Sequence, residues 1–111
     1  MVGLPFAFRK PYPVRLRAVI DGSPAEGAEV WLVNITKNSE YRTKTSVEGV
    51  CVADLPNVPA GFEQGDKIQV VIRKSDKMGV SVFEVGTEML RDVGDIEGSK
   101  IHSGMDVGVR A

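Results

Sequence analysis

The residues that could perform catalysis in this chain of 111 residues are few. His102 is the only histidine and Cys51 the only cysteine. Nucleophilic hydrolysis needs a general base next to a serine or cysteine, and His102 lies in a stretch rich in serine and glycine. A small hydrolase centred on His102 is one hypothesis, but its surroundings favour a solvent-exposed loop, and we predict no catalytic residue.

Residues that could bind a metal ion are also few. One histidine and one cysteine do not supply the ligands of a zinc site, so we predict no metal and no cofactor. Segment 92–97 carries carboxylates that could attract calcium, although it lacks the D-x-D-x-D spacing of an EF-hand loop. The sequence leaves open whether this segment binds calcium or is a solvated acidic loop.

Length, composition and charge indicate one globular domain. The net charge is -1 with a pI of about 5.8, so no overall positive field attracts nucleic acid. No apolar run reaches membrane-spanning length, and the opening residues M-V-G-L-P-F-A-F-R-K lack the basic start of a signal peptide. We therefore expect neither nucleic-acid binding nor membrane insertion, and a virion or cytoplasmic location rather than Sec export.

Alternating apolar residues predict the strands that must position any site. Apolar side chains occupy every second position of 14–20 and of 28–33, which is the period of a half-buried strand. The turn residues of 21–27 lie between them and predict a hairpin in which the two strands pair. Ala18 would then lie opposite Val30 on the buried side.

The rest of the chain continues this rhythm of short strands and turns. We predict a polar edge strand at 41–46, a strand at 50–55 after the Glu48-Gly49 reversal, a loop at 56–66, strands at 68–73 and 80–85, a helical turn at 87–91 and a last strand at 105–109. No long helical period interrupts them. The pattern predicts an all-β fold in which two antiparallel sheets pack face to face.

Three motifs carry a family resemblance. They are D-G-x-P-x-x-G-A-x-V-x-L-x-N at 21–34, T-x-x-x-G-V-x-V-x-x-L-P-N at 45–57 and G-F-x-x-G-D-K-I-x-V at 61–70. This combination resembles the prealbumin-like (transthyretin-like) β-sandwich, and within it the carboxypeptidase-regulatory-like and collagen-binding-protein B-type domains. The resemblance implies a seven-stranded antiparallel Greek-key β-sandwich, and roles in adhesion, spacing or assembly.

Two chemistries known from that family do not carry over to this sequence. An isopeptide bond would join a lysine of the first strand to an asparagine of the last, but here the first strand has Arg15 and Arg17 and the last has Asp106. Transthyretin-related hydrolases use several histidines and a C-terminal Tyr-Arg-Gly-Ser, whereas this chain has His102 and ends V-G-V-R-A. The resemblance therefore implies neither activity here.

Binding residues are better represented than catalytic ones. In the predicted hairpin, Arg15, Arg17, Trp31 and Val33 would share one outer surface, with Arg17 able to stack on Trp31. Tryptophan and arginine are frequent anchors of interfaces. This surface is the predicted binding site. The alternative is that Trp31 covers its own sheet or faces inward.

The N-terminal residues 1–12 form a predicted extended arm ahead of a sandwich domain at 13–111. Phe6, Phe8 and Tyr12 make this arm apolar, so it must pack against something. Its target is either its own sandwich or a neighbouring subunit. The arm therefore supplies three further predicted binding residues.

These features favour a non-enzymatic structural or interaction module. We expect its partners to be other protein subunits, in a homo-oligomer or a larger assembly such as a virion coat or decoration component. Basic residues near the N-terminus and acidic residues between 84 and 97 could also attract one copy to another. The rival in the binding class is a carbohydrate- or peptide-binding module using Trp31 and loops at 56–66 and 92–104.

Overall fold

The computed structural model describes residues 11–88 and 90–100, and β-strand is the dominant secondary structure of these residues. The strands are β1 (Pro13–Ile20), β2 (Ser23–Pro24), β3 (Glu29–Asn34), β4 (Ser39–Lys44), β5 (Val50–Asp54), β6 (Lys67–Lys74), β7 (Lys77–Glu84) and β8 (Arg91–Lys100). A 3-10 turn at Leu55–Asn57 follows β5. β2 has only two residues, so the described part of the chain has seven substantial strands.

The strands form a curled sheet whose two halves face each other. In one half β1 lies between β5 and β8, and in the other the order is β7-β6-β3-β4. The halves join where the end of β8 pairs with the start of β7, at Lys77 with Lys100 and Met78 with Ser99. β1 and β8 are parallel, whereas the other pairings are antiparallel. The prediction of an all-β sandwich is confirmed.

The core contains every second side chain of the central strands. The fully buried residues include Leu16 and Ala18 of β1, Val30 and Leu32 of β3, and Ile68, Val70 and Ile72 of β6. Burial of one such aliphatic side chain contributes about 1.5 to 3 kcal/mol relative to leaving it exposed. The alternation therefore stabilises the sandwich and fixes which face of each strand reaches solvent.

The predicted hairpin between β1 and β3 is wrong. The Asp21-Gly22 turn, with φ of 55° and 80°, closes only a short ladder in which Val19 and Ile20 pair with β2. The chain then crosses to the other half of the sandwich, where β3 pairs with β4 and β6. Ala18 and Val30 are both buried, as predicted, but they belong to different halves of the sandwich.

The crossover is held by buried backbone hydrogen bonds. The Ala25 N–H donates to the Ala18 carbonyl (2.9 Å). The Thr45 hydroxyl donates to the Ala25 carbonyl (2.6 Å) and accepts from the Ala28 N–H (2.9 Å). An unpaired buried backbone group costs about as much free energy as a lost hydrogen bond. These contacts therefore favour a chain that crosses to the other half of the sandwich, rather than one that continues as a hairpin.

The region after β7 also differs from prediction. There is no helical turn at 87–91 among the described residues, and the predicted acidic loop at 92–97 is part of strand β8. Gly94, at φ 81°, lies where the parallel register with β1 shifts, and this irregularity hides the alternation in the sequence. The strand predicted at 105–109 and His102 lie outside the described residues.

Other predicted elements are present with small changes of boundary. β4 is an edge strand, β5 follows the reversal at Gly49, and β6 and β7 form a hairpin. The β6–β7 turn is shorter than predicted, because Lys74 already pairs with Lys77 across Ser75 and Asp76. The 56–66 loop joins the two halves, beginning with the 3-10 turn.

We predict that Gly49→Ala destabilises the domain much more than Gly22→Ala. Both glycines have positive φ (76° and 80°), which costs a residue with a Cβ about 1 to 2 kcal/mol. A Cβ at Gly49 would also lie 2.8 Å from the Ala18 carbonyl and 2.9 Å from the Ala25 nitrogen, whereas nothing lies within 4 Å at Gly22. Chemical denaturation of both variants measures the difference. Equal losses would contradict the role of Gly49 in the crossover.

Candidate interaction surfaces

The outer face of the β5-β1-β8 half carries a ladder of ion pairs. Arg17 forms a two-point contact with Asp95, with its Nε 3.0 Å from Oδ1 and its Nη2 2.7 Å from Oδ2. The neighbouring pair, Arg15 and Asp92, has a separation of 3.5 Å. The hydrogen bond from Arg17 lowers the pKa of the Asp95 carboxyl. These charges are therefore compensated within one chain, and the predicted attraction between copies would have to compete with these ion pairs.

The outer face of the β7-β6-β3-β4 half is largely apolar at its centre. Cross-strand pairing aligns Trp31 of β3 with Val71 of β6 and Val80 of β7. Val71 is fully buried, whereas Val80 and its neighbour Val82 are 43% and 54% exposed. We call Trp31, Val71, Val80 and Val82 the apolar outer face.

Arg42 of β4, rather than Arg17, stacks on Trp31. Its guanidinium carbon lies 4.6 Å from the ring centroid, and Arg42 pairs directly with Trp31 in the β3–β4 ladder. Arg42 also contacts Glu40 at 2.8 Å, so the guanidinium is held over the indole. Trp31 is half-buried as a result and covers its own sheet on one side.

The structure does not bring the predicted binding residues onto one surface. Arg15 and Arg17 lie on the outer face of one half of the sandwich, and Trp31 lies on that of the other, because β1 and β3 belong to different halves. Val33 faces outward from β3 but is only 2% exposed. Nor does 92–100, which is strand β8, form a loop beside Trp31.

Tyr12 belongs to the core rather than to a free arm. It is 2% exposed and packs near Phe62 and Phe83, with ring centroids 5.4 and 6.4 Å away. Its hydroxyl donates to Glu88 (2.9 Å), and burial, followed by this bond, raises the pKa of Tyr12. Phe6 and Phe8 lie outside the described residues, so the arm remains a prediction for residues 1–10.

Three basic residues lie next to Trp31 that the sequence analysis did not identify as binding residues. Arg42, Lys44 and Arg73 border Trp31 and Glu29, because Glu29 pairs with Lys44 on one side and with Arg73 on the other. Two shallow depressions, of about 160 and 400 Å³, share Glu29 and Lys44 as lining residues. The alternation within β4 and β6 predicts which of their side chains point outward. That these side chains border Trp31 follows only from the correct strand order.

A buried polar cluster at the end of β3 has a structural role. The Asn34 amide donates to Asp66 Oδ2 (2.9 Å) and to the Gly61 carbonyl (3.0 Å), and its oxygen accepts from the Lys37 N–H (3.0 Å). Burial alone would raise the pKa of Asp66, but the bonds from Asn34 and the Glu63 N–H, together with Lys37, lower it. The cluster ties the β3–β4 turn to the 56–66 loop.

Other site classes have little support in the described residues. Within 11–88 and 90–100, no three His, Cys, Asp or Glu side chains are grouped so that they could hold a metal ion. Burial raises the pKa of the Cys51 thiol, which is typical of an inert core cysteine. Nor does this part of the chain contain an apolar helix of membrane-spanning length.

Comparison with known proteins supports the fold. No protein-family model matches the chain, and no curated protein does. Among solved structures, it is similar to the shaft pilin SpaA from Lactobacillus rhamnosus GG (TM-score 0.54, 10% identity, 83% of this chain and 47% of that one). It is also similar to catechol 1,2-dioxygenase from Acinetobacter sp. ADP1 (TM-score 0.57, 10% identity, 92% and 56%). The chain thus spans about half the length of each.

We predict that Asp66→Asn lowers the free energy of unfolding at neutral pH by about 1 to 3 kcal/mol, because it removes the charge from a buried hydrogen bond with Asn34 and a partly buried one with the Glu63 N–H. The folded-state pKa of Asp66 lies below the unfolded value of about 3.9, so this stabilisation is present above that pH and is lost as pH falls through the folded pKa.

Urea denaturation of wild type and Asp66→Asn across the acid range tests this difference. The two stability curves should converge as the pH falls below the folded-state pKa of Asp66, where the wild-type carboxyl is protonated in the native state as well. The exposed Glu48→Gln serves as the control. A difference between wild type and Asp66→Asn that is independent of pH would contradict the role of the charge.

Proposed function

We propose that this chain is a non-enzymatic structural and interaction module, a subunit of a larger protein assembly such as a virion coat or decoration component. The observation that carries the proposal is the apolar outer face, where exposed valines adjoin Trp31 under the Arg42 guanidinium. Tryptophan and arginine are enriched among the residues that dominate binding energy, and exposed apolar patches on sheets frequently mark interfaces.

The fold alone does not decide the function. A shaft pilin and a dioxygenase have similar folds, so the choice must come from residues. The resemblance to carboxypeptidase-regulatory-like and collagen-binding-protein B-type domains belongs to this proposal, as does self-association. The proposal that the chain is not an enzyme rests on residue types, since one histidine and one cysteine supply little catalytic chemistry.

The apolar outer face favours a protein partner over a carbohydrate. Sugars stack on open aromatic faces, and the Arg42 guanidinium already lies 4.6 Å over the Trp31 ring. The adjacent exposed residues, Val80 and Val82, offer apolar contact without the amide and carboxylate groups that bind sugar hydroxyls. Packing of apolar side chains is the dominant contribution at the centre of protein–protein interfaces.

We predict that Val80→Glu reduces assembly without unfolding the domain. Val80 is 43% exposed, so a carboxylate there remains solvated in the monomer but would be buried unpaired in an interface. Analytical ultracentrifugation should show a shift toward the monomer. Val52→Glu is the matched control, because Val52 is 62% exposed on the opposite half of the sandwich. Equal effects of both variants would contradict an interface at the apolar outer face.

We further predict that deleting residues 1–10 weakens assembly while the sandwich stays folded. The deletion retains Tyr12, which the core requires. Light scattering would give the mass, and the denaturation midpoint would report the fold. A full-length chain that is monomeric at all accessible concentrations, alone and with candidate coat proteins, would overturn the proposed function itself.

A further inference from the structure

We propose that the free edge of β4 binds an extended acidic polypeptide segment, which adds to the sheet as a further strand beside Arg42 and Lys44. This inference rests on the proposed function and specifies the surface and the chemistry of a partner. β4 has six residues and ends the strand order, with β3 as its only described neighbour. It is long enough for several main-chain bonds to an added strand.

The ladder determines which backbone groups of β4 are available. The Thr45 N–H donates to the Ala28 carbonyl (2.9 Å), so this residue pair lies at a hydrogen-bonded position. Because hydrogen-bonded and non-hydrogen-bonded pairs alternate in an antiparallel ladder, Thr43 and Tyr41 also bond to β3. The N–H and C=O groups of Arg42 and Lys44 consequently point away from β3, and no described residue bonds to them.

The same two residues project their side chains onto the outer face. The Arg42 side chain is 60% exposed, and Lys44 is exposed. Within the described part of the chain, neither Lys44 nor Arg73 has an ion-pair partner within 4 Å, and Glu29 is the one acid between them. The edge therefore combines outward main-chain groups with two cations, of which Lys44 has no ion-pair partner among the described residues and Arg42 is paired with Glu40.

Charge complementarity defines the partner. In an added strand, the residues that bond to Arg42 and Lys44 are two apart, and their side chains lie on the same outer face as those two cations. Acidic residues at these alternating positions would contact Arg42 and Lys44 directly. The depression of about 160 Å³ lined by Trp31, Arg42 and Lys44 lies under the first of these contacts.

A short synthetic peptide in which Glu alternates with Thr and Val tests the inference. Trp31 is the only tryptophan of the chain and stacks on Arg42, so its fluorescence reports binding at this edge. We expect saturable binding that changes Trp31 emission and weakens with salt. Arg42→Glu and Lys44→Glu should each weaken it about ten-fold or more, since a charged hydrogen-bonded contact is lost. Lys100→Glu, with the same charge change on β8, should not.

Backbone N-methylation separates strand addition from simple charge attraction. A methyl group on the Glu amides blocks the hydrogens that must face β4, and should abolish binding. Methyl groups on the intervening Thr and Val amides face away from β4 and should leave it intact. No binding of the Glu peptide, equal binding of a Lys analogue, or binding that survives methylation of the Glu amides would each overturn the inference.

The assembly experiment distinguishes this inference from the proposed function. Assembly that persists in Lys44→Glu, together with failure of the peptide to bind, rejects the β4 edge alone and leaves the proposed function standing. A chain that binds the peptide but remains monomeric with every candidate coat protein supports the edge and rejects the assembly role.

Discussion

The structure depends on the way in which buried backbone groups are satisfied where the chain crosses from one half of the sandwich to the other. Ala25 is almost fully buried, and its N–H and C=O bond to Ala18 and to the Thr45 hydroxyl. Once these groups are paired, β3 cannot lie beside β1. It pairs instead with β4 and β6, which separates the two outer faces and gives each its own chemistry. One face becomes an ion-pair ladder and the other an apolar surface with a basic edge.

The strands could be predicted from the sequence, but their neighbours could not. Alternation is a property of a single strand packed against a core, so it locates β1, β3 and β6 and identifies their inward residues. It is the same whether two strands lie side by side or face each other across the core, and this is why Ala18 and Val30 are both buried although the hairpin joining them does not exist. Whether β3 lies beside β1 or opposite it depended on the hydroxyl of Thr45, which is about twenty residues after Ala25 in the chain. No local pattern reveals this contact.

For the candidate sites too, residue types and outward positions could be predicted from the sequence, but the partners of those residues could not. Trp31 was recognised as an anchor from its residue type and outward position, but its partner was assigned to Arg17 because of the wrong strand order. The sequence also treated the acids of 92–97 as a separate feature, whereas parallel pairing of β8 with β1 places Asp95 against Arg17. Contacts between residues far apart in the chain fix charge compensation, so only the coordinates show that Lys44 and Arg73 lack an ion-pair partner in the described part of the chain.

The chemistry of β4 is consistent with both protection and recognition. Charged side chains on an edge strand disfavour pairing with most other strands, because an added apolar strand would partly desolvate Arg42 and Lys44, and Lys44 would have no counter-charge. That penalty disappears when the incoming strand carries carboxylates at matching positions. Arg42 and Lys44 therefore disfavour apolar partner strands and favour a strand whose carboxylates match their positions. Recognition of this form needs no deep pocket, because the main chain supplies the contacts and the two cations supply the selectivity.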